Sequence, residues 1–287
     1  GGDGGATAVL VRRLLLWSLA WGAGGPLPHE GRATLAAALT TLFGDSEVGT
    51  KKGPGVLECE VRGDDGEWAE WQRRVPQTEV PTAKAAASDV VVPTLDTVRH
   101  AAVIGAWLRQ RRPLLLCGPP GCGKTLTLSH LIGASSSYEL LELSFSSATS
   151  PSALLGAIAS RCELTSSARG LTLSPRTAGW LVVFIDEVNL PRADRFGTQP
   201  VLSLLRTLVE RNGYWRVVPS ADGGSSVSWV RLSRIQFAMA CNPPTDAGRV
   251  PLPARLLRHA ALLHVGFPTD ASLRQIYAAF ARAVLRP

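Results

Sequence analysis

The sequence predicts an α/β fold, a doubly wound parallel sheet of five strands with helices on both faces (three-layer αβα), from three stretches. Leu114 to Leu128, LLLCGPPGCGKTLTL, is an apolar strand, a glycine-rich turn and a helix start. Its Gly118, Gly123, Lys124 and Thr125 match G-x-x-x-x-G-K-[ST], the phosphate-binding P-loop. Leu181 to Glu187, LVVFIDE, is an apolar run that delivers two carboxylates to a strand end. Ile235 to Cys241 reads as another buried strand, followed immediately by Asn242-Pro243-Pro244. Such predominantly apolar runs suit strands buried on both faces, as in parallel sheets, whose ligands bind at the carboxyl ends of the strands.

The chemistry assigned to these residues follows from their types. Gly118, Gly121 and Gly123 let the backbone turn tightly, so that successive N–H groups converge on phosphate oxygens at a helix N-terminus. The candidate nucleotide-binding residues of the loop are Gly118, Pro119, Pro120, Gly121, Cys122, Gly123, Lys124, Thr125 and Leu126. Lys124 can reach the outer phosphates of ATP or ADP, and the Thr125 hydroxyl can hold Mg²⁺. Asp186 is the second candidate metal residue, and Glu187 the candidate catalytic base that orients and polarises the attacking water. Asn242, an amide at a strand tip, suits a sensor of the γ-phosphate or of that water. Cys122 reads as a small residue that fits the loop rather than as a redox-sensitive thiol.

With 287 residues, the chain can bury roughly three quarters of its unfolded surface. Its net charge of +7 comes from Lys and Arg scattered along the chain, without a basic run interleaved with aromatics, which argues against direct nucleic-acid binding. The five cysteines lack paired C-x-x-C spacing and read as reduced thiols of an intracellular protein. The sequence opens without methionine and contains only Met239, so it reads as part of a larger protein.

Before the sheet, Val9 to Trp21 carries Arg12 and Arg13 ahead of an apolar run, as a signal peptide does, but is too short for a membrane helix. A buried helix is expected there, followed by a second helix over Arg32–Phe43 and a loop marked by Gly44, Gly49, Gly53, Pro54 and Gly55. Val56–Val61 and Glu67–Trp71 are expected to form a hairpin whose Trp68 and Trp71 cover a domain interface or stack on a base. Pro81–Ser88 reads as a linker. Val92, Pro93 and Thr94 form a candidate adenine pocket, ahead of a helix capped by Thr94 or Asp96 with Val98, Ala101, Ala102 and Trp107 on its buried stripe.

After the loop, a strand is expected over Glu139–Phe145 and a helix over Ser152–Arg161. An amphipathic helix starts at Thr198 and Pro200, with Val201, Leu204, Leu205 and Leu208 inward, and Gly213 ends it. Tyr214–Val218 and Val227–Leu232 can pair across the Ser/Gly-rich tip Ser220–Ser226. Arg255 and Arg258 precede a last strand over Ala261–Phe267, and Ser272 to Gln275 gives a capping box for a final helix.

The order of P-loop, Asp-Glu strand and strand-tip Asn resembles the AAA+ ATPases. Val90–His100, Leu116–Thr125, Leu143–Pro151, Asp186–Gln199 and Arg234–Leu252 together are similar to the third AAA+ module of the cytoplasmic dynein heavy chain family. The resemblance implies four parts: 1–45 as the helical tail of a preceding module, 46–88 as a connector with the hairpin, 89–268 as the large ATPase domain, and 269–287 as the start of a truncated helical lid. It also implies a regulatory, Mg-dependent ATPase within a minus-end-directed microtubule motor of the cytoplasm. Its partners would be neighbouring modules, dynein subunits and microtubules, with no membrane. Arg255 and Arg258 become arginine-finger candidates for the neighbouring module, and an arginine from the following module would serve this site. Such fingers contribute about 10³–10⁵ in rate, so the isolated fragment is expected to hydrolyse ATP poorly. The alternatives are a non-cycling nucleotide-holding brace and a remodelling AAA+ ATPase unrelated to dynein.

Overall fold

The computed structural model describes residues 3–44, 48, 55–84, 90–168, 170–219 and 225–285. Most of the loop around Gly49 and Gly53, residues 85–89 of the expected linker and residues 220–224 of the Ser/Gly-rich tip lie outside the described residues. The chain divides into two compact units: Gly1–Ala106 with Pro119–Thr127 and Leu262–Pro287, and Trp107–Gly118 with Leu128–Ala261.

The first unit opens with α1 (Asp3–Gly22) and α2 (His29–Phe43). α1 buries Arg13, Leu16, Ala20 and Trp21, a stripe at helical spacing, while Val11, Leu14 and Leu15 stay exposed. No helix among the described residues is long and apolar enough to cross a membrane. α2 starts before Arg32 because Pro28 caps it, Arg32 N donating to Pro28 O at 2.9 Å. Between the helices a Cβ on Gly25 would fall 2.5 Å from the carbonyl oxygens of both Trp21 and Leu262, so only glycine fits this turn. Arg32 fastens it, donating to the carbonyls of Gly24 (3.1 Å), Gly25 (2.8 Å), Leu27 (3.1 Å) and His264 (2.9 Å). Burial, reinforced by Arg99, lowers the Arg32 pKa to about 10.

The hairpin is shorter than expected. β1 (Cys59–Val61) pairs antiparallel with β2 (Trp68–Glu70), flanked by 3-10 turns over Val56–Glu58 and Trp71–Arg74. Trp71 is buried within this unit and Trp68 is half-buried, so the two do not form an exposed stacking platform. In α3 (Leu95–Arg109) the predicted stripe of Val98, Ala101, Ala102 and Trp107 is only half-buried. Asp96, Arg99, His100, Val103, Ile104, Gly105 and Leu108 are the buried residues: Asp96 and Arg99 pair with each other, and His100 stands edge-on to the Trp21 ring at 6.5 Å.

From Leu114 onward the elements are β3 (Leu114–Cys117), α4 (Lys124–Gly133), β4 (Tyr138–Ser144), α5 (Pro151–Arg161), β5 (Cys162–Ser167), β6 (Gly170–Pro175), β7 (Trp180–Asp186), α6 (Pro200–Arg211), β8 (Gly213–Pro219), β9 (Ser225–Leu232), β10 (Ile235–Cys241), α7 (Ala254–Leu257) and β11 (Ala261–His264). The five-stranded sheet has the order β11-β3-β10-β7-β4, and the pairs β3–β10, β10–β7 and β7–β4 are parallel. β7 and β10 lie inside it. Leu181, Val182, Val183, Phe184 and Ile185 are all at 0% exposure, each contributing about 1.5–3 kcal/mol by burial. β4, at the edge, buries only Leu141 fully.

A second sheet, β5-β6-β9-β8, contains the expected β8–β9 hairpin and an additional β5–β6 hairpin. The left-handed cap of α6 is Asn212 (φ +53°), whose Nδ2 donates to Leu232 O at 3.0 Å, rather than Gly213. Gly213 instead opens β8, where a Cβ would meet Val230 O at 2.5 Å and the Trp229 ring at 2.6 Å.

The final helix, α8 (Asp270–Leu285), belongs to the first unit. Thr269, not Ser272, caps it: Ser272 N donates to Thr269 Oγ1 at 3.4 Å and Leu273 N to Thr269 O at 2.8 Å. Ser272 is drawn instead to Asp96, its Oγ donating to Oδ2 at 2.6 Å, and Gln275 Nε2 donates to Pro93 O at 2.8 Å. Ala279 and Ala283 pack with Val80 and Val92. The last strand stops at His264, short of the expected Phe267, which is exposed.

Candidate functional site

The strand register decides which residues share the carboxyl edge of the sheet. Cys117 of β3 stands opposite Cys241 of β10, and Met239 of β10 opposite Ile185 of β7. Gly118, Asn242 and the Asp186-Glu187 pair therefore leave adjacent strands at one edge, with Gly118 N donating to Cys241 O at 3.2 Å and Val188 N to Ala240 O at 3.0 Å. All belong to the second unit.

At that edge Glu187 has φ +55°, a left-handed conformation that a residue with a Cβ rarely adopts. Its N–H donates to Asp186 Oδ1 at 2.8 Å, closing a tight turn. Asn242 Nδ2 donates to Glu187 Oε1 at 3.2 Å, so the strand-tip amide and the second carboxylate, 55 residues apart, meet directly. Two further residues, neither singled out in the sequence, complete the cluster. Arg249 Nη2 donates to Glu187 Oε1 at 3.0 Å and lies 2.9 Å from Oε2. Asn189 Nδ2 donates to Asn242 O at 3.0 Å, and Val250 N to Asn189 O at 3.1 Å. The only sequence signal for them is their place just beyond the Asp-Glu and Asn-Pro-Pro strand ends.

The phosphate-loop residues from Pro119 to Thr127 belong to the first unit. Gly121 and Gly123 have φ +77° and +88°, and a Cβ on Gly121 would meet nothing within 4 Å, so the turn leaves open space along its backbone. Lys124 starts α4, and its Nζ folds back to donate to Pro119 O at 2.9 Å. Its ammonium lies 3.8 Å from Cys122 Sγ. Burial pushes the Cys122 thiol up despite that neighbour, which makes it a poor nucleophile. Pro120 and Leu126 are exposed, and Thr125 is half-buried.

The other predicted residues are distributed as follows. Val92 is buried against Val80, Ala279 and Ala283; Pro93 O accepts from Gln275; and Thr94, fully buried, donates its N–H to Thr97 Oγ1 at 2.7 Å. These contacts occupy Val92 and Thr94 within the first unit. Arg255 is exposed on α7, while Arg258 donates to Glu210 Oε1 of α6 at 2.9 Å. Among the described residues no group of three or more His, Cys, Asp or Glu could hold a metal.

A glycine-rich phosphate loop between a buried strand and a helix, with an Asp-Glu strand end and a strand-tip Asn, defines a P-loop NTPase of AAA+ type. Residues 79–268 match the family described as P-loop containing dynein motor region, and residues 3–73 the dynein heavy chain AAA lid domain. The chain belongs to this dynein motor family. It is 46% identical over 278 residues to the cytoplasmic dynein heavy chain of Dictyostelium discoideum, 44% over 277 residues to that of Drosophila melanogaster, and 47% over 222 residues to that of Caenorhabditis elegans. These alignments cover 96%, 96% and 77% of this chain but only 6%, 6% and 5% of the relatives. Family membership sets aside the reading as a remodelling ATPase unrelated to dynein.

Proposed function

We propose that this chain is an ATP-binding and ATP-hydrolysing AAA+ module, the third in a dynein heavy chain, that regulates minus-end-directed movement on microtubules in the cytoplasm. The observation that carries the reading is the Asn242–Glu187 hydrogen bond at 3.2 Å, which joins the sensor amide to the catalytic carboxylate at one strand edge. The open, left-handed backbone of Gly121 and Gly123 fits a phosphate chain, which needs converging N–H groups and no side chains in the way. Lys124 neutralises the outer phosphates after leaving Pro119 O. The Thr125 hydroxyl and the Asp186 carboxylate are hard oxygen donors suited to Mg²⁺, which when bound offsets charge on the phosphates. Glu187 orients the attacking water, and Asn242 keeps the carboxylate in register with it.

Arg255 and Arg258 are proposed to serve the nucleotide of the preceding module, Arg258 exchanging Glu210 for phosphate. Residues 1–88 are read as the end of that module and its connector, 89–268 as the ATPase domain and 269–287 as the start of its own lid. In the native heavy chain, Lys124→Ala should remove the nucleotide held at this site. Glu187→Gln should retain nucleotide and stop its hydrolysis there. Unchanged turnover in Glu187→Gln rejects the catalytic role, and a site that holds ADP without exchange on the timescale of stepping makes it a brace.

A further inference from the structure

The cation that meets Glu187 comes from outside the nucleotide motifs. We propose that Arg249 is the positioning residue for the Glu187 carboxylate, holding it so that Oε2 is the oxygen that accepts from the attacking water. This rests on the reading of Glu187 as the hydrolytic base.

The two carboxylate oxygens of Glu187 differ in their partners. Oε1 accepts from Arg249 Nη2 at 3.0 Å and from Asn242 Nδ2 at 3.2 Å, which fills both of its lone-pair directions. Oε2 is buried and accepts no hydrogen bond from a side-chain amide; its contact is the ion pair with Arg249 Nη2 at 2.9 Å. A buried carboxylate oxygen without a donor is costly unless something supplies one, and a water hydrogen does so. The guanidinium thus holds the carboxylate by both oxygens, at 3.0 and 2.9 Å, and Asn242, donating to Oε1 alone, leaves Oε2 as the oxygen with room for a further donor.

Both partners are held from behind. The left-handed backbone at Glu187 and its bond to Asp186 Oδ1 set the direction in which the side chain leaves β7. Arg249 sits on a turn closed by Asp246 N donating to Pro243 O and Arg249 N to Asp246 O, both at 3.1 Å, with Gly248 at φ +76°. Asn189, itself buried, then ties this turn to the base of Asn242. The Arg249 and Glu187 side chains are only 19% and 26% exposed, so their attraction is little screened by water. Arg249 Nε, buried, has no acceptor. An arginine present only to brace the loop would use its fork on carbonyls, as Arg32 does; this one directs its charge at a single carboxylate.

The test uses the native heavy chain that contains these residues, with Lys124→Ala defining the nucleotide and turnover that belong to any other sites. Against that background Arg249→Ala should keep bound nucleotide within about twofold and slow cleavage of bound ATP by about 10²-fold, the effect of moving a reacting group by about an ångström. Arg249→Lys, which still offers one cationic donor, should recover about tenfold of that loss. Adding Arg249→Ala to Glu187→Gln should change nothing further, because both act through one carboxylate. Parental cleavage in Arg249→Ala, or a loss of bound nucleotide equal to the loss of cleavage, overturns the positioning role. Should Arg249→Ala fail to fold by circular dichroism, Arg249→Lys decides: cleavage no faster than in Glu187→Gln overturns the role, and faster cleavage supports it. If Lys124→Ala releases no nucleotide, the ATP-site reading itself fails and the role of Arg249 falls with it.

Discussion

Replacing Asp96 by alanine removes the acceptor at which α3 and α8 meet. Its Oδ2 takes Thr269 N at 3.0 Å, Thr269 Oγ1 at 3.2 Å and Ser272 Oγ at 2.6 Å, while Oδ1 takes Arg99 Nη2 at 2.5 Å. Two losses follow. The first turn of α8 forfeits hydrogen bonds to a charged acceptor, worth about 1.5–3 kcal/mol each at most. Arg99, buried, is left as an uncompensated cation, and removing one partner of a buried pair costs about 3–5 kcal/mol. The two overlap, because both measure the same carboxylate, so the expected total is about 4 kcal/mol, a large share of a domain's stability. Urea unfolding followed by tryptophan fluorescence reads it, Trp21 being in the same unit. Arg99→Met on top of Asp96→Ala should restore about 1–2 kcal/mol, since the stranded charge is gone. A cost below about 1 kcal/mol for Asp96→Ala, or a double variant as unstable as the sum of the singles, refutes the reasoning. A pH series adds a sign. Burial alone would raise the Asp96 carboxyl, but Ser272, Arg99 and Thr269 together hold it below the usual range. Its stabilisation is therefore present above the ordinary carboxylate pKa and lost as the pH falls through the lower folded value, from about pH 4 downward. Asp96→Ala should lack that component.

Two further outcomes are expected. His100 is buried, and burial first, then Arg99 and Arg32, depress its pKa from 6.5 to about 3. The unfolded chain thus takes up a proton that the folded chain refuses, and stability falls as the pH drops from 6.5 towards 3, by up to about 1.4 kcal/mol per unit. His100→Phe should flatten the dependence of Tm on pH between about 6.5 and 4.5; parallel curves for parent and variant reject this. Gly25→Ala should cost about 1–3 kcal/mol through forced backbone movement, while Gly5→Ala on exposed α1, with nothing within 4 Å of the new Cβ, should be neutral or stabilising. Equal Tm values for the two variants would show that the α1–α2 turn relaxes without cost.

The strands that frame the site were legible because burial on both faces leaves no room for polar residues. Leu114–Cys117 and Leu181–Ile185 each read as one apolar run, Ile235–Cys241 is broken only by Gln236, whose Nε2 donates to Arg112 O at 2.9 Å, and each leads into a residue of the candidate site. α3 was misread for the converse reason. Asp96 and Arg99 are buried and pair with each other, Asp96 also with Ser272 of α8, while His100 is buried edge-on against the Trp21 ring, and a binary pattern assigns such residues to the surface. The β5–β6 hairpin escaped notice because Leu164, Leu171 and Leu173 alternate with Ser and Thr over strands too short to stand out. The end of α6 turned on which of two adjacent residues, Asn212 or Gly213, takes the left-handed conformation. Close approach of the Trp229 ring, invisible in sequence, claims the glycine. Arg249 was out of reach of any spacing rule, since its partner lies 62 residues earlier and only the parallel pairing of β7 with β10 brings them together.

The fastening made by Arg32 is addressed entirely to main-chain oxygens, those of Gly24, Gly25, Leu27 and His264. Every amino acid carries that oxygen, so Leu27 and His264 can drift in evolution without loosening the joint, whereas lysine at position 32 could not span four acceptors from one nitrogen. Variation among related chains should therefore fall on Leu27 and His264 and spare Arg32 and the two glycines, a pattern opposite to that of an ordinary ion pair, whose two ends must change together.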